Sequence, residues 1–264
     1  MTRPAYGNSN KQAGYTSRRR PATSSRNRKE EVASRIEDLI LSGRLPAGER
    51  LPPERELAAE LGVSRPVVHG ALAELASRGL VRIEPRLGAY VEDWRRSGSP
   101  ELLLSLMSYA DGDLSEGLFD GLLEMRLLVE AETARLAARR RSAEQLEELG
   151  RVLAREVLAA GERDPAAVAL LDYDFHLSVA LASGNDVYPL LLNSFRRVYL
   201  RILERFYADP GLVPQVFAYH RALVDALAAR DEAASRAKMI EILEFGERNL
   251  RRIMSLERDA GRKR

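Results

Sequence analysis

The chain has 264 residues, of which 45% are hydrophobic and 30% charged, as is typical of a soluble globular protein with one or two domains. It contains no cysteine, so disulfides, thiolate metal sites and cysteine nucleophiles are excluded. No stretch approaches the roughly 18 apolar residues of a membrane-spanning helix, and the basic N-terminus lacks the apolar segment of a secretory signal. We therefore expect a cytoplasmic protein with no membrane partner.

The net charge is +2, but the basic residues are unevenly distributed. Residues 1–29 hold eight basic and no acidic residues, whereas residues 30–94 hold eight basic and twelve acidic residues. Because the charge outside the N-terminal segment does not indicate a nucleic-acid partner, that function has to be argued from individual arginines. Residues 1–27 contain almost no large aliphatic side chains, so we expect a disordered basic tail that either contacts DNA phosphates or only aids solubility.

Three short helices are predicted next. Apolar residues recur at helical spacing from Arg28, and Gly43 ends this first helix. A second short helix stops at Gly62, and Ser64 is a suitable N-cap for the third. Gly79 is the C-terminal stop of that third helix.

The pattern then changes from helical to alternating. The stretches LVRIE and AYVE alternate apolar and polar residues like two strands, and the tight turn PRLG joins them. Three helices followed by a two-stranded wing predict a winged helix-turn-helix over residues 28–94, with a linker at residues 95–98. Residues 99–256 show helical patterns separated by capping signals, which predict a bundle of six or seven helices, and residues 257–264 form a basic tail. The fold class is therefore mainly α.

The third helix carries the candidate DNA contacts, because the second helix of a helix-turn-helix enters the major groove with its N-terminal residues nearest the bases. Arg65 can donate to guanine or to a phosphate, and Val67 can touch a thymine methyl group. Ser64 and the helix N-terminus suit a phosphate. The full set of candidates is Arg55, Ser64, Arg65, Val67, His69, Arg86 and Gly88. The alternative is a winged helix that makes only protein contacts.

Residues 28–94 contain GRLPAGERLPPERELAAELGVSRPVV, ALAELASRGLV and a glycine-bearing wing, and this stretch resembles the DNA-binding domain of GntR-type bacterial transcription regulators. The resemblance implies a double-stranded DNA partner, with operator contacts from Arg55, Arg65 and the wing. One position departs from the family pattern, which usually has Arg-Glu where this chain has His69-Gly70. The first of those two positions often contacts DNA, so we expect a different operator sequence.

The C-terminal half contains LLEMRLLVEAETARLAARR, DYDFHLSVALASGN and YHRALVDALAARDEAASRAKM, and it resembles the all-helical FCD effector domain of the FadR-like subfamily. Asp172 and His176 are one helical turn apart, so a carboxylate and an imidazole can bind the same divalent cation, such as zinc. The resemblance implies His220 as a third ligand. It also implies a fourth, a histidine, whose matching position here is Ile242, so that ligand is absent. The alternative is an Asp–His pair that only orders the core.

Arg126 is the candidate effector contact. It lies one turn before Glu130 among aliphatic residues, where a guanidinium is suited to bind a carboxylate. In the family the matching arginine tends to face the effector pocket. Asn185 is a second candidate, although it also suits the cap of a helix.

These patterns together predict a homodimeric transcription regulator that binds a palindromic operator. A small carboxylic acid in the C-terminal effector-binding and dimerisation domain, residues 99–256, would change its DNA affinity. A fatty acyl-CoA effector is the alternative, because the incomplete metal site and the segment VEDWRRSGSPELLLSL resemble the acyl-CoA-responsive branch. A metal-dependent enzyme is a remote alternative, because no separate general base is apparent, and we expect no catalytic residues.

Overall fold

The computed structural model of the chain describes residues 25–99, 102, 116–159 and 164–261, and these residues fall into two compact units, 1–113 and 114–264. Most of the tail predicted at residues 1–27 lies outside the described residues. Its last three residues instead begin the first helix, because nothing in the sequence SRNRK breaks a helix. Within the described residues, no helix is long and apolar enough to cross a membrane.

The first unit has the predicted winged helix-turn-helix architecture. Its elements are α1 (Ser25–Leu41), α2 (Glu54–Leu61), α3 (Arg65–Ser77), β1 (Val81–Glu84), β2 (Gly88–Val91) and α4 (Trp94–Ser97). The two strands pair antiparallel, with Val81 opposite Val91 and Glu84 opposite Gly88. Ser64 occupies the predicted N-cap position of α3, but its side chain makes no capping hydrogen bond.

The core of this unit forms where α1 and α3 pack together over the wing. Ile36 of α1 and Val68 and Leu75 of α3 are fully buried there, together with Leu57 of α2. Buried residues of α1 (Val32, Ile36, Leu39 and Ile40) and of α3 (Val68, Ala71, Leu72 and Leu75) recur at helical spacing, so each helix buries one apolar stripe.

Two features of this unit were not predicted. Residues 49–51 pair with β2, since the amide of Leu51 donates to the carbonyl of Ala89 and the amide of Val91 to that of Glu49, both at 2.8 Å. A stretch of three residues before a Pro-Pro pair is too short to show the alternating pattern that predicts a strand. Of residues 95–98, predicted to be a linker, residues 95–97 instead belong to helix α4 and Gly98 is its C-cap. The Ser97 hydroxyl donates to the carbonyl of Gly79 at 2.9 Å.

Six α-helices make up the described part of the second unit, in agreement with the predicted all-α bundle. They are α5 (Glu116–Arg140), α6 (Ala143–Ala159), α7 (Pro165–Ala182), α8 (Val187–Tyr207), α9 (Val213–Ala228) and α10 (Glu232–Gly261), with a 3-10 turn at Pro210–Leu212. A reciprocal capping box begins α6, where Ser142 and Gln145 each accept the other's backbone amide. The basic tail predicted from residue 257 instead continues α10 as far as Gly261, because no earlier residue breaks the helix.

Helix α7 is the central element of the bundle, and it packs against α5, α6 and α8. Its side chains at Val168, Tyr173, Phe175 and Val179 are almost completely buried. A helix that is covered on most sides needs apolar residues all round. The polar residues on α7 therefore require a specific explanation.

Gly79 offers a test of the packing in the first unit. Its φ is +75°, and a Cβ atom there would overlap the backbone carbonyl of Ser97, whereas Gly43 has the same φ with open space around it. We expect Gly79→Ala to lower the free energy of unfolding by about 3 kcal/mol or more, because backbone atoms have to move. Gly43→Ala should cost only about 1–2 kcal/mol, the strain of a left-handed alanine.

The single tryptophan of the chain, Trp94, packs against the core of this unit, so its fluorescence during denaturant unfolding measures both variants. Equal losses in the two variants would show that α4 does not hold Gly79 in place.

Candidate functional site

The three predicted metal ligands converge at one buried point of the second unit. Asp172 and His176 come from α7 and His220 from α9, and their exposed fractions are 4%, 2% and 0%. One ligand atom from each lies within 4.8 Å of the other two. The Nε2 atoms of His176 and His220 are each 3.9 Å from an Asp172 carboxylate oxygen, too far for a hydrogen bond.

Each imidazole also lies next to a glutamate carboxylate on its Nδ1 side. His220 Nδ1 lies 2.7 Å from Glu156 Oε1, and His176 Nδ1 lies 2.5 Å from Glu130 Oε2, although the latter contact is too poorly aligned for a regular hydrogen bond. The hydrogen bond between His220 Nδ1 and Glu156 fixes that ring and turns its Nε2 toward the shared point. His220 Nε2 is buried there, with no hydrogen-bond partner among the described residues.

Glu156 was not predicted from the sequence, although the sequence contained a signal for it. Glu156 falls on the apolar stripe of α6, at helical spacing from Leu149, Val152 and Leu153, and it is only 1% exposed. A carboxylate on the buried face of an amphipathic helix requires a polar partner. The partner, His220, lies 64 residues along the chain, so the spacing alone could not identify it.

Two tyrosines donate hydrogen bonds to Asp172, the third predicted ligand. The hydroxyl of Tyr207 donates to Asp172 Oδ2 at 2.6 Å, and that of Tyr199 donates to Asp172 Oδ1 at 3.2 Å. Burial raises the pKa of both phenols well above the usual value, and the adjacent Asp172 carboxylate raises each further. Both hydroxyls therefore stay protonated and act as donors toward Asp172.

Arg126 joins this cluster from α5. Its Nε donates to Glu130 Oε1 at 2.6 Å, its Nη2 donates to the Tyr199 hydroxyl at 2.7 Å, and its guanidinium lies 4.3 Å from the centre of the Tyr199 ring. Burial alone would raise the pKa of Glu130, but Arg126 and then His176 more than offset it and lower that pKa to about 2. Glu130 is therefore an anion that holds both a cation and an imidazole.

Two clefts open beside Arg126. The first has a volume of about 330 Å³ and is lined by Arg126, Asp172, His176, Leu203, Phe206, Val216, Ile242, Leu243, Gly246 and Leu250. Ile242, the position matched to the family's fourth ligand, therefore faces the same cleft as Asp172 and His176 and supplies an apolar surface. The second cleft, of about 530 Å³, shares Arg126, Leu203 and Leu250 with the first. Its other walls are almost entirely apolar, from α5 and α8.

Asn185 does not line either of these clefts. Its Oδ1 accepts the backbone amide of Val187 at 3.0 Å, at the start of α8. The side chain therefore serves the helix cap, and the suggested effector contact at Asn185 has no geometric support.

The candidate DNA contacts lie on the first unit. Ser64, Arg65 and His69 are exposed at the start of α3, while Val67 is half-buried against the core. Arg55 is exposed on α2.

The wing turn is unusual in its backbone. Arg86 is exposed at its tip with φ +66°, and Gly88 follows with φ +118°. A side chain at Gly88 would approach that of Arg50.

Comparison with known proteins gives matches to both units. Residues 28–91 match the family described as bacterial regulatory proteins, gntR family, and residues 121–245 match the FCD domain. A protein described as a putative L-lactate dehydrogenase operon regulatory protein, from Escherichia coli K12, is 33% identical over 84% of this chain and 86% of its own length. A fatty acid metabolism regulator protein from Klebsiella pneumoniae is 34% identical over 66% of this chain and 70% of its own length.

The structure of Lar, which controls expression of the Listeria monocytogenes agr system, is similar with a TM-score of 0.60. It covers 89% of this chain and 99% of its own, and at 15% identity it shows the fold alone. The family matches and the two relatives are regulators, so the metal-dependent enzyme considered from the sequence is not the function. The chain belongs to the GntR family of bacterial regulatory proteins, with an FCD domain, and is a DNA-binding transcription regulator.

Proposed function

We propose that this regulator binds a palindromic operator as a homodimer and that a small carboxylate in the FCD domain changes its affinity for that operator. A divalent cation on Asp172, His176 and His220, together with Arg126, holds the carboxylate. The observation that carries the proposal is the convergence of these three buried ligand atoms beside the buried guanidinium. A symmetric dimer places one winged helix on each of the two half-sites of a palindrome.

The charges of the cluster support the cation. Three carboxyl groups, those of Glu130, Glu156 and Asp172, are buried near one guanidinium, that of Arg126. Carboxylates in a buried region are expensive unless cations or donors compensate them. A divalent ion supplies such compensation, and one carboxylate oxygen with two imidazole nitrogens is a ligand set that zinc accepts.

The apolar side chain of Ile242 supports an open coordination site. Ile242 lines the cleft but offers no ligand atom, so the protein provides three donors where four are needed. When bound, the ion attracts an anionic oxygen from water or from the effector. We expect weaker metal affinity than in complete four-ligand sites.

Arg126 is placed to hold the effector itself. Among the described residues, its hydrogen bonds to Glu130 and Tyr199 use two of the five guanidinium N–H groups, so three remain for an anion in the adjoining cleft. The relative named for an L-lactate dehydrogenase operon favours a small hydroxy acid as that anion.

An acyl-CoA effector is the second candidate. The 530 Å³ cleft beside Arg126 is lined by side chains such as Leu123, Val129, Phe195 and Ile202, which suit an acyl chain. The relative named as a fatty acid metabolism regulator favours the same class. This candidate does not require the metal.

The three histidines of the chain provide a matched test of the metal site. We expect the protein, after incubation with zinc and removal of free metal, to retain one zinc ion per chain by elemental analysis. His176→Ala and His220→Ala should lose it, because each removes a ligand. His69→Ala, in the other unit, should retain it. Equal zinc in all four proteins, or none in any of them, would contradict the site.

The effector proposal is tested on an operator selected from random-sequence DNA. We expect a member of a panel of hydroxy acids and sugar acids to change the DNA affinity by about tenfold in fluorescence anisotropy with zinc present, and not after chelation. Arg126→Lys should abolish this response, because an ammonium cannot replace the planar fork. Arg139→Lys, an exposed arginine of the same helix, is the control and should respond normally.

The same assay separates the two effector classes. A response to decanoyl-CoA that persists without metal, with no response to any small acid, would replace the carboxylate proposal with the acyl-CoA one. Light scattering of the protein–DNA complex checks the expected two chains per operator.

A further inference from the structure

Two exposed side chains at the start of α3 share one carboxylate from α2. Arg65 Nε donates to Glu54 Oε2 at 2.9 Å, and His69 Nδ1 lies 2.7 Å from Glu54 Oε1. The side chains of Arg65 and His69 are 74% and 65% exposed, whereas that of Glu54 is 24% exposed. The less exposed Glu54 carboxylate thus anchors the more exposed side chains of Arg65 and His69.

The contact with Glu54 determines which nitrogen of His69 carries the proton. Hydrogen bonds from Arg65 and then from His69 lower the pKa of Glu54, so its carboxyl group is ionised at neutral pH. An ionised carboxylate only accepts hydrogen bonds, so Nδ1 of His69 has to be the donor. A neutral imidazole then presents Nε2 to its surroundings as an acceptor.

An acceptor in the major groove distinguishes bases. Only the amino groups of adenine and cytosine donate there, whereas guanine presents N7 and O6 and thymine presents O4, all of them acceptors. Nε2 of His69 therefore matches adenine or cytosine and opposes guanine and thymine. An arginine in this position would select guanine instead.

Glu54 acts on Arg65 in a complementary way. The bond through Nε leaves both terminal NH2 groups of the guanidinium free of Glu54. Those two groups form the fork that fits guanine O6 and N7, or a phosphate. One carboxylate therefore orients a double donor and an acceptor, one helical turn apart.

We propose that Glu54 is a positioning residue that sets the base preference of α3, by fixing His69 as an acceptor for the amino group of adenine or cytosine and Arg65 as a double donor. This inference rests on the proposed binding of α3 in the major groove. It assigns to Glu54 a role in specificity that requires no contact between its own carboxylate and DNA.

Glu54→Gln should change the base preference, a result that a merely structural role of Glu54 would not produce. The Gln amide has one acceptor, which Arg65 requires, so its NH2 group faces His69 Nδ1 and makes that nitrogen the acceptor. Nε2 then carries the hydrogen and donates. The base preference at the His69 position should shift from adenine or cytosine to guanine or thymine.

The measurement is selection and sequencing of bound DNA by the full-length protein at about pH 8.5, where imidazoles are neutral. We expect the unsubstituted protein to prefer adenine or cytosine by roughly fivefold at one position of each half-site. His69→Ala should lose that preference, and His69→Arg should change it to guanine. Glu56→Gln, an exposed glutamate of the same helix, is the control and should leave the motif unchanged.

The outcomes separate this inference from operator binding itself. If Arg65→Ala lowers affinity about tenfold but Glu54→Gln and His69→Ala leave every base preference unchanged, the role of Glu54 is wrong and operator binding stands. If the unsubstituted protein selects no sequence at all, operator binding by α3 fails as well. A motif that changes at the His69 position in Glu54→Gln but not in Glu56→Gln supports the proposal.

Discussion

The FCD domain is built around three carboxyl groups that are buried near a single guanidinium. Glu130, Glu156 and Asp172 are each less than 5% exposed, and each needs a compensating donor or cation, because leaving one unpaired in the core costs several kcal/mol. The compensating groups come from different helices: the arginine from α5, the two imidazoles from α7 and α9, and the two phenols from α8. Satisfying these charges therefore fixes how five helices pack, α6 among them through Glu156.

The same contacts explain how an effector could alter the domain. Arg126 and Asp172 do not touch directly, but Tyr199 accepts from the first and donates to the second. Arg126 also shares Glu130 with His176. An anion that draws Arg126 toward the cleft competes with both of these contacts, and so changes the surroundings of the proposed metal ligands. A ligand shifts a conformational equilibrium only when it binds the two states differently, and a shared arginine gives it a physical means to do so.

Local patterns in the sequence were sufficient for the fold class but only for part of the site. The spacing of Asp172 and His176 predicted two side chains of the buried cluster, because positions i and i+4 share a helix face. His220 required a family resemblance, and Tyr199 and Tyr207 were not identified, because their hydroxyls reach Asp172 from 27 and 35 residues away. The wing and its flanking helices followed from alternation and glycine stops. Helix α4 did not, because an Arg- and Ser-rich stretch resembles a linker until its hydrogen bonds to the preceding domain are known.

All three histidines of the chain have Nδ1 next to a glutamate carboxylate, but their surroundings differ. The partners are Glu54 for His69, Glu156 for His220 and Glu130 for His176, and the last contact lacks the alignment of a regular hydrogen bond. In His69 and His220, a hydrogen bond from Nδ1 to the glutamate leaves the lone pair of Nε2 available. In the FCD domain the Nε2 atoms of His176 and His220 each lie 3.9 Å from the Asp172 carboxylate, an arrangement suited to the proposed cation. On α3, His69 belongs to no such group of three among the described residues, and its exposed side chain suits the proposed contact with the amino group of a base. The number of acceptors that converge, rather than the chemistry of the individual imidazole, thus separates the proposed metal site from the proposed base contact.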